Sequence, residues 1–269
     1  MTSRLDVALV ARGLARSRNA AARAIAEGRV TVTGTVVTRP SAPVADDDDL
    51  ALDGALPVSR ASGKLEAALD AFRLDVTDRL ALDLGASTGG FTAVLLARGA
   101  RRVVALDVGR DQLVPELRAD PRVTVIEGEN ARDLTAERLA VLTASSEQPG
   151  VVVADLSFIS LTQVLPAIRR TAPDAEVVLL VKPQFEVGRT GVQAGVVRDP
   201  AARTRAVRAV LDAAWTLGLG TAGILPSPVV GMHGNREVLV LLQPGSGRHP
   251  AEWEGPLARA TGEEDGRHS

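Results

Sequence analysis

The chain has 269 residues, a formal net charge of -2, and 45% hydrophobic and 24% charged residues, which is typical of a soluble globular protein. It has no cysteine, which excludes disulfides and thiolate metal sites, and its three histidines are dispersed, so we expect no metal centre. There is no run of about 18 apolar residues to cross a bilayer. Asp6 and Arg12 interrupt the apolar N-terminal stretch, which argues against a signal peptide, so we expect a cytoplasmic protein with no membrane partner.

The first 40 residues are strongly basic and the remainder is acidic. Seven arginines against Asp6 and Glu27 give residues 1–40 a charge of +5, which leaves -7 for the other residues. Two helices are predicted over residues 4–29, with Ser17 as the N-cap of the second, and two short strands follow at 30–32 and 36–37. The arginines of the second helix form a face suited to phosphate, although the charge pattern alone favours a solvated surface.

The order of residues in this segment is more specific than its charge. Its features are R-L-D near the start, G-L-A-x-S-R, A-x-x-x-I-x-x-G-x-V and a V-x-G turn, over roughly residues 4–50. The segment resembles the small RNA-binding domain that is named for a ribosomal small-subunit protein and shared by pseudouridine synthases and tyrosyl-tRNA synthetases. The resemblance implies RNA-binding residues at Arg4, Arg16, Arg18 and Arg23.

A larger domain is predicted after an acidic run at 46–49, a short strand at 50–52 and a linker that ends at Pro57. From residue 80 onward apolar runs alternate with helical patterns, which is typical of a doubly wound, Rossmann-like α/β sheet. The predicted strands cover residues 80–84, 102–107, 122–126, 150–155, 176–182, 221–225 and 236–242, and the predicted helices cover 61–73, 89–98, 110–118, 135–142, 160–171 and 199–217. We therefore expect a small α+β RNA-binding domain and linker at 1–57, a catalytic α/β domain at 58–244 and a disordered tail at 245–269.

A cofactor loop is predicted in the segment ALDLGASTGGF, which ends a strand, forms a glycine-rich loop and opens a helix. Glycines in such a loop let the backbone approach a ligand closely. Asp107 closes the next strand, 22 residues after Gly85, where a carboxylate can accept both ribose hydroxyls of an adenosine. The expected cofactor is S-adenosylmethionine, and the residues expected to bind it are Asp83, Gly85, Ser87, Gly89, Gly90, Phe91, Asp107, Asn130 and Asp155.

The rival interpretation of this loop is a nicotinamide-dependent dehydrogenase. That class uses G-x-G-x-x-G, whereas this chain has G-x-x-x-G-G, beginning at Gly85. An acidic residue at Asp83 also suits a sulfonium amino acid better than a diphosphate. The pattern therefore favours a methyltransferase.

The two lysines of the chain are candidates for catalysis. Of 31 basic residues, 29 are arginine, and the lysines are Lys64 and Lys182. Lysine is a compact charge that can lose its proton when neighbours lower its pKa, whereas arginine stays charged. Chance survival of two lysines in an arginine-rich composition is the alternative. Together with Asp155 and Glu237, which end or begin predicted strands, they form a set of two cations and two carboxylates able to hold a ribose hydroxyl.

Several motifs carry a resemblance to a known family. They are ALDLGASTGGF, ALDVGRDQL, VVADLSFISL, LVKPQFEVG, GVVRDP and SPVVGMHGNREVLV, and the match covers about residues 4–243. These motifs resemble the TlyA family of ribosomal RNA cytidine 2′-O-methyltransferases, once called haemolysins, whose catalytic domain is similar to the FtsJ-type ribose methyltransferases. The resemblance implies a Lys-Asp-Lys-Glu catalytic tetrad at Lys64, Asp155, Lys182 and Glu237. Ala61-Ser62 replace the glycine pair that commonly precedes the first lysine.

The implied partner is ribosomal RNA within ribosomal subunits, and we expect a monomer. Phe158 or Phe185 is a candidate for stacking on an unpaired base, although packing beneath a loop is an equal alternative. Arginines near the expected active edge are candidates for phosphate contacts: Arg60, Arg189, Arg198, Arg203 and Arg205.

Two other classes of function remain open as alternatives. A membrane-lytic protein would need an amphipathic basic helix long enough to insert, and the pattern predicts none. A catalytically silent RNA-binding or ribosome-assembly factor would not need the tetrad.

Overall fold

The computed structural model describes residues 2–12, 14–15, 17–45, 47–52, 61–188, 195–231 and 234–263. It divides into two compact units, Met1–Pro57 and Val58–Ser269.

The first unit is a small α+β fold. Its elements are β1 (Thr2–Arg4), α1 (Leu5–Ala11), α2 (Arg18–Ala26), β2 (Val30–Val32), β3 (Thr35–Val36), β4 (Pro43–Ala45) and β5 (Leu50–Leu52). Ser17 caps α2 as predicted, because its hydroxyl accepts a hydrogen bond from the Ala20 amide at 3.2 Å. The antiparallel pair β1–β4 and the three-stranded order β3-β2-β5 enclose a core that includes Leu5, Leu9 and Ile25. The strands β1 and β4 are not predicted from the sequence, because β1 is a short polar segment that leads directly into α1 and β4 begins at a proline.

The described part of the second unit contains a seven-stranded sheet. Its strands are β6 (Leu80–Leu84), β7 (Arg102–Asp107), β8 (Val123–Glu127), β9 (Val151–Ala154), β10 (Glu176–Val181), β11 (Leu219–Pro226) and β12 (Val238–Pro244). Their order is β11-β12-β10-β9-β6-β7-β8. The pairs among β6 to β10 are parallel, whereas β12 is antiparallel to both of its neighbours. The predicted doubly wound α/β fold is therefore confirmed.

Helices cover both faces of this sheet. They are α3 (Ser62–Phe72), α4 (Gly90–Ala97), α5 (Pro115–Arg118), α6 (Ala136–Thr143), α7 (Leu161–Thr171), α8 (Pro183–Glu186), α9 (Pro200–Thr216) and α10 (Glu254–Thr261). One buried cluster includes residues of α3, α4 and α5, and the other includes residues of α6, α7, α9 and α10. The strands between the clusters are buried on both sides, which explains their continuous apolar sequences.

Two predictions about local structure need correction. The helix predicted at 110–118 is reduced to α5, because Asp111 adopts a left-handed φ of 57° and a proline can begin a helix but interrupts its interior. The tail predicted from residue 245 is wrong over residues 245–263, where a 3-10 helix (Pro250–Trp253) precedes α10. Helix α10 packs because Leu257 and Ala260 are buried on the same face, although the segment is polar on average.

Candidate active site

The carboxyl ends of the parallel strands meet at one edge of the sheet. From β6 the chain continues to β7 and β8 on one side and then returns to β9 on the other side. Ligands of doubly wound sheets bind in the crevice at such a reversal. Strand β12 runs in the opposite direction, so its beginning lies at this edge, and Glu237 immediately precedes it.

The glycine loop between β6 and α4 brings two backbone segments into close contact. Gly85 has a φ of 84°, and a Cβ atom at this position would lie 2.8 Å from the carbonyl oxygen of Asp155. No side chain fits there, so the loop presents bare backbone to the crevice. Gly89 has a φ of 96° and precedes Gly90, the first residue of α4. Phe91 is 2% exposed and packs in the core, so its role is structural support of the loop.

Asp83 lies beneath this loop in β6 and is fully buried. Its Oδ2 accepts a hydrogen bond from the Thr92 hydroxyl at 2.7 Å, whereas its Oδ1 has no hydrogen-bond partner. Burial raises the pKa of Asp83 to about 7, and the nearby carboxylates of Asp155 and Asp107 raise it further against the effect of Thr92. The hydrogen bond between Asp83 and Thr92 links β6 to α4 and so supports the glycine loop between them.

Asp107 is held in place at the end of β7 by two backbone amides. Its Oδ2 accepts from the Ser87 N–H at 2.8 Å, and its Oδ1 accepts from the Gly109 N–H at 2.7 Å. A carboxylate has about four acceptor positions, so both oxygens retain capacity for a ligand hydroxyl. Asn130 follows β8 and caps the next 3-10 helix, with its Oδ1 accepting from the Arg132 N–H at 3.1 Å.

A cavity of about 1140 Å³ opens at this edge. Of the residues predicted to bind the cofactor, those that line it are Gly85, Ser87, Asp107, Asn130 and Asp155. The predicted residues that do not line it are Asp83, Gly89, Gly90 and Phe91. The first group thus has direct access to a ligand, and the second lies behind it. Val108 and Gln112 also line the cavity and were not expected from the sequence, because neither belongs to the glycine loop.

The four tetrad residues form two ion pairs. Nζ of Lys64 lies 2.5 Å from Oε2 of Glu237, and both side chains are at most 9% exposed. Nζ of Lys182 lies 2.6 Å from Oδ1 of Asp155 and donates a hydrogen bond to the Ser157 hydroxyl at 2.9 Å. The last aligned residues of β10 and β12 are Val181 and Val238, so Lys182 and Glu237, which adjoin them in the chain, lie at the same edge of the sheet.

The segments after β9 and β10 make further contacts with each other, and these contacts are not predicted from the sequence. The Phe158 and Phe185 rings lie 5.3 Å apart at the cavity, and Phe158 is 89% exposed with a φ of 66°. Glu186 accepts hydrogen bonds from the Ser160 hydroxyl at 2.5 Å and the Leu161 amide at 2.9 Å, while burial raises the pKa of its carboxyl. Ser157 and Glu186 do belong to the motifs VVADLSFISL and LVKPQFEVG, which was the available signal.

The predicted RNA-binding arginines of the first unit are partly engaged in ion pairs. Arg4 and Arg18 both contact Asp6, at 2.9 and 3.3 Å, and the Arg4 hydrogen bonds lower the pKa of this carboxyl to about 2. Arg23 pairs with Glu27 on α2 at 2.7 Å. The side chains of these three arginines remain more than half exposed. Arg16 and Arg60 lie outside the described residues.

Arg203 does not have the surface role expected for it. It is 7% exposed and donates to the carbonyl oxygens of Val197, Arg198 and Thr261 at 2.8 to 3.0 Å. It therefore joins α9 to the end of α10 and cannot contact phosphate. Exposed Arg205 pairs with Asp199, Arg198 is exposed, and Arg189 lies outside the described residues.

Within the described ranges, no group of three or more histidine, cysteine, aspartate or glutamate residues is arranged to hold a metal ion. The helices described here are too short or too polar to cross a membrane.

The fold and the crevice at its carboxyl edge define a methyltransferase: residues 57–243 match the FtsJ-like methyltransferase family, and residues 3–50 match the S4 domain. The chain is 49% identical over 246 residues, 90% of each sequence, to the 16S/23S rRNA (cytidine-2′-O)-methyltransferase TlyA of Mycobacterium tuberculosis. A solved structure described as a hemolysin from Streptococcus thermophilus is 36% identical, covers 99% of this chain and 98% of its own, and has a TM-score of 0.71. An S-adenosylmethionine-dependent methyltransferase structure from Listeria monocytogenes shares the fold at 15% identity, with a TM-score of 0.50 over 70% of this chain and 100% of that one. The chain belongs to the TlyA family of FtsJ-like methyltransferases, as its motifs indicated.

Proposed function

We propose that this protein is a cytoplasmic, monomeric enzyme that transfers the methyl group of S-adenosylmethionine to a ribose 2′-oxygen of cytidine in ribosomal RNA. The observation that carries the proposal is that the only two lysines of the chain both lie at the carboxyl edge, each in an ion pair with a carboxylate. Every other basic residue of the chain is arginine, and the pairing of both lysines with carboxylates at this edge favours a role for a compact ammonium over chance survival. The choice of cytidine and of ribosomal RNA follows the similarity to TlyA of Mycobacterium tuberculosis.

The residues at the crevice fit S-adenosylmethionine. Gly85 leaves no space for a side chain between the loop and the Asp155 carbonyl, so a ligand can lie against bare backbone. Asp107 is fixed by two amides and retains acceptor capacity for the ribose hydroxyls of an adenosine. When bound, S-adenosylmethionine supplies a methyl group that its sulfonium makes electrophilic. Asn130 and Ser87 complete the binding residues that line the cavity.

Lys182 and Asp155 are the tetrad pair assigned to the ribose hydroxyl, because Asp155 itself lines the cavity. The Lys182 ammonium donates a hydrogen bond to Ser157 and forms an ion pair with Asp155, and since an ammonium has three donors, at least one is available for the 2′-oxygen. Alignment of the oxygen supplies much of the rate, since positioning contributes up to about 7–11 kcal/mol in favourable systems. The Lys182 ammonium has no lone pair to accept a proton, so the hydroxyl proton passes to the Asp155 carboxylate as the new O–C bond forms and the bond between the methyl group and sulfur breaks.

Lys64 and Glu237 form the supporting pair of the tetrad. Both are nearly excluded from solvent, and Glu237 and Lys182 adjoin the last aligned residues of β12 and β10. A buried pair that is neutral overall supports its neighbour without adding net charge beside the reacting oxygen. The arginine-rich first unit binds ribosomal RNA through phosphate contacts of its half-exposed guanidinium groups.

The test is to incubate each unmodified ribosomal subunit with the protein and S-adenosylmethionine labelled in its methyl group. Labelled nucleosides are identified after digestion, and the position is mapped by primer extension, which stops at a 2′-O-methyl group when nucleotides are scarce. We expect label only in 2′-O-methylcytidine. Label in a base, or none in either subunit, would contradict the proposal.

Two variants serve as controls for this experiment. Lys182→Ala should abolish transfer while S-adenosylmethionine binding, measured by calorimetry, is retained. Arg101 lies just before β7, at the opposite edge of the sheet, and its exposed guanidinium pairs with Glu147. The Arg101→Ala variant should therefore transfer the methyl group at the normal rate.

A further inference from the structure

Two segments at the carboxyl edge are joined along their whole length. The β9 loop comprises residues 155–160, and the α8 segment comprises residues 182–186. Contacts join their beginnings, through Asp155 and Lys182, and their middles, through the rings of Phe158 and Phe185. Their ends are joined through Glu186, whose carboxylate reaches the far end of the loop.

Glu186 uses both of its oxygens in this junction. Its Oε2 accepts a hydrogen bond from the Ser160 hydroxyl, and its Oε1 accepts one from the backbone amide of Leu161, the first residue of α7. The N-terminus of a helix has unsatisfied amides and favours a negative charge, so the carboxylate is well matched to this position. The contact therefore fixes the point at which the β9 loop becomes helix α7.

The middle of the β9 loop adopts a conformation that its own residues do not favour. Phe158 has a left-handed φ of 66°, which is unfavourable for a residue with a bulky side chain. Its ring is 89% exposed, so burial does not repay this cost. Such a conformation persists when the surrounding structure imposes it. Here the ends of the loop are held by Lys182 on one side and Glu186 on the other.

The same loop carries two groups that hold Lys182. Asp155 forms the ion pair with its ammonium, and Ser157 accepts its hydrogen bond at 2.9 Å. Ser157 precedes the strained Phe158 directly, so relaxation of the backbone at Phe158 would move the Ser157 hydroxyl away from Lys182. The placement of the lysine thus depends on the far end of the loop.

We infer that Glu186 is a positioning residue, which holds the β9 loop in its strained conformation so that Ser157 and Asp155 keep the Lys182 ammonium in place. Glu186 does not line the cavity, and it acts on the reaction only through Lys182. The inference rests on the proposed function for its effect on methyl transfer, but its effect on Lys182 can be measured separately.

The chain offers a readout that does not depend on activity, because its only ε-amino groups are those of Lys64 and Lys182. The full-length protein is treated with an amine-acetylating reagent, and the rate at each lysine is followed by mass spectrometry. In Glu186→Ala we expect Lys182 to be acetylated at least about fivefold faster than in the wild type, because Ser157 no longer engages its ammonium. Lys64 should be unchanged and acts as an internal control.

The matched control is Glu176→Ala. Glu176 is the first residue of β10, at the end of that strand away from the α8 segment, and its half-buried carboxylate pairs with Arg79. This variant should leave the Lys182 rate unchanged even if it lowers the melting temperature. Glu186→Gln should lie between wild type and Glu186→Ala, because its amide oxygen still accepts from the Leu161 amide. If Glu186→Ala does not fold, Ser160→Ala removes one of the two hydrogen bonds and should raise the Lys182 rate by a smaller factor.

Methyl transfer provides the second readout. Glu186→Ala should lower kcat about tenfold and leave S-adenosylmethionine affinity unchanged, with partial recovery in Glu186→Gln. An unchanged Lys182 acetylation rate in Glu186→Ala and Ser160→Ala overturns the inference, as does an equal rise at both lysines, which would indicate general loosening. If the wild type transfers no methyl group to ribosomal RNA, the proposed function fails while the acetylation rates still decide the role of Glu186.

Discussion

The stability of the Asp83→Asn variant relative to wild type should increase as the pH rises. A free aspartate has a pKa of about 3.9, whereas Asp83 has a pKa of about 7 in the folded protein. The folded state therefore binds this proton more tightly than the unfolded state. A difference of about three pH units, at 1.36 kcal/mol each, corresponds to roughly 4 kcal/mol.

The sign follows from the raised pKa. Below about pH 4 both states carry the proton and the group contributes nothing to the pH dependence. Between about pH 4 and 7 the wild type loses stability as the pH rises, because folding requires uptake of a proton. Asparagine is uncharged throughout and can still accept a hydrogen bond from Thr92. The free energy of unfolding of the variant, relative to wild type, should thus increase by about 1.4 kcal/mol per pH unit and level off above pH 7.

Urea unfolding of both proteins at half-unit intervals from pH 4.5 to 8.5 measures this difference. Any cost of the asparagine amide itself is independent of pH and only shifts the curve. Asp70→Asn is the control, since Arg98 lowers the pKa of this exposed carboxyl and the difference should stay constant above pH 5. A constant difference for Asp83→Asn over the whole range would refute a buried, protonated Asp83.

Four further substitutions test the site and its surroundings. Lys64→Arg and Lys182→Arg should each lower methyl transfer by about 100-fold or more, because a planar guanidinium does not fit the place of a compact ammonium. Calorimetry should show that cofactor affinity is retained. Near-normal turnover in both variants would contradict the role of lysine. Gly85→Ala should lower the free energy of unfolding by about 1–3 kcal/mol and weaken cofactor binding, since the new Cβ would lie 2.8 Å from the Asp155 carbonyl oxygen. Chemical unfolding measures the first effect and calorimetry the second. An unaltered affinity would argue against a ligand at this loop. Arg203→Ala should expose the C-terminal helix to limited proteolysis, because it removes the donor to the carbonyls of Thr261 and Val197; wild-type protease resistance would show that burial of α10 alone suffices.

The strands and most helices of the large unit follow from the sequence because they are set by local patterns. Strands β6 and β7 have the predicted bounds, since a parallel strand buried on both faces is a continuous apolar run between polar residues. Helix α10 is not predicted, because its sequence is polar on average and only one narrow face of it is apolar. That face can be recognised as buried only when its packing against α9 is known.

The candidate site divides in the same way. The four residues of the proposed tetrad are predicted from residue type and from their positions at strand ends or at a helix start, and the family resemblance implies the same grouping. Which lysine pairs with which carboxylate depends on the strand register and on the position of α3, neither of which is encoded locally. The contacts of Glu186 with the β9 loop are likewise not predicted from the sequence, because its partners Ser160 and Leu161 lie 26 and 25 residues away.

The antiparallel course of β12 makes activity dependent on an intact chain. Lys64 and its partner Glu237 are separated by 173 residues, and Glu237 reaches the edge only as the final strand is added. A fragment that ends before Glu237 contains three of the four residues of the proposed tetrad, but it leaves the buried Lys64 ammonium without its carboxylate, which is strongly unfavourable. Partial products of translation or proteolysis are therefore expected to be inactive rather than weakly active.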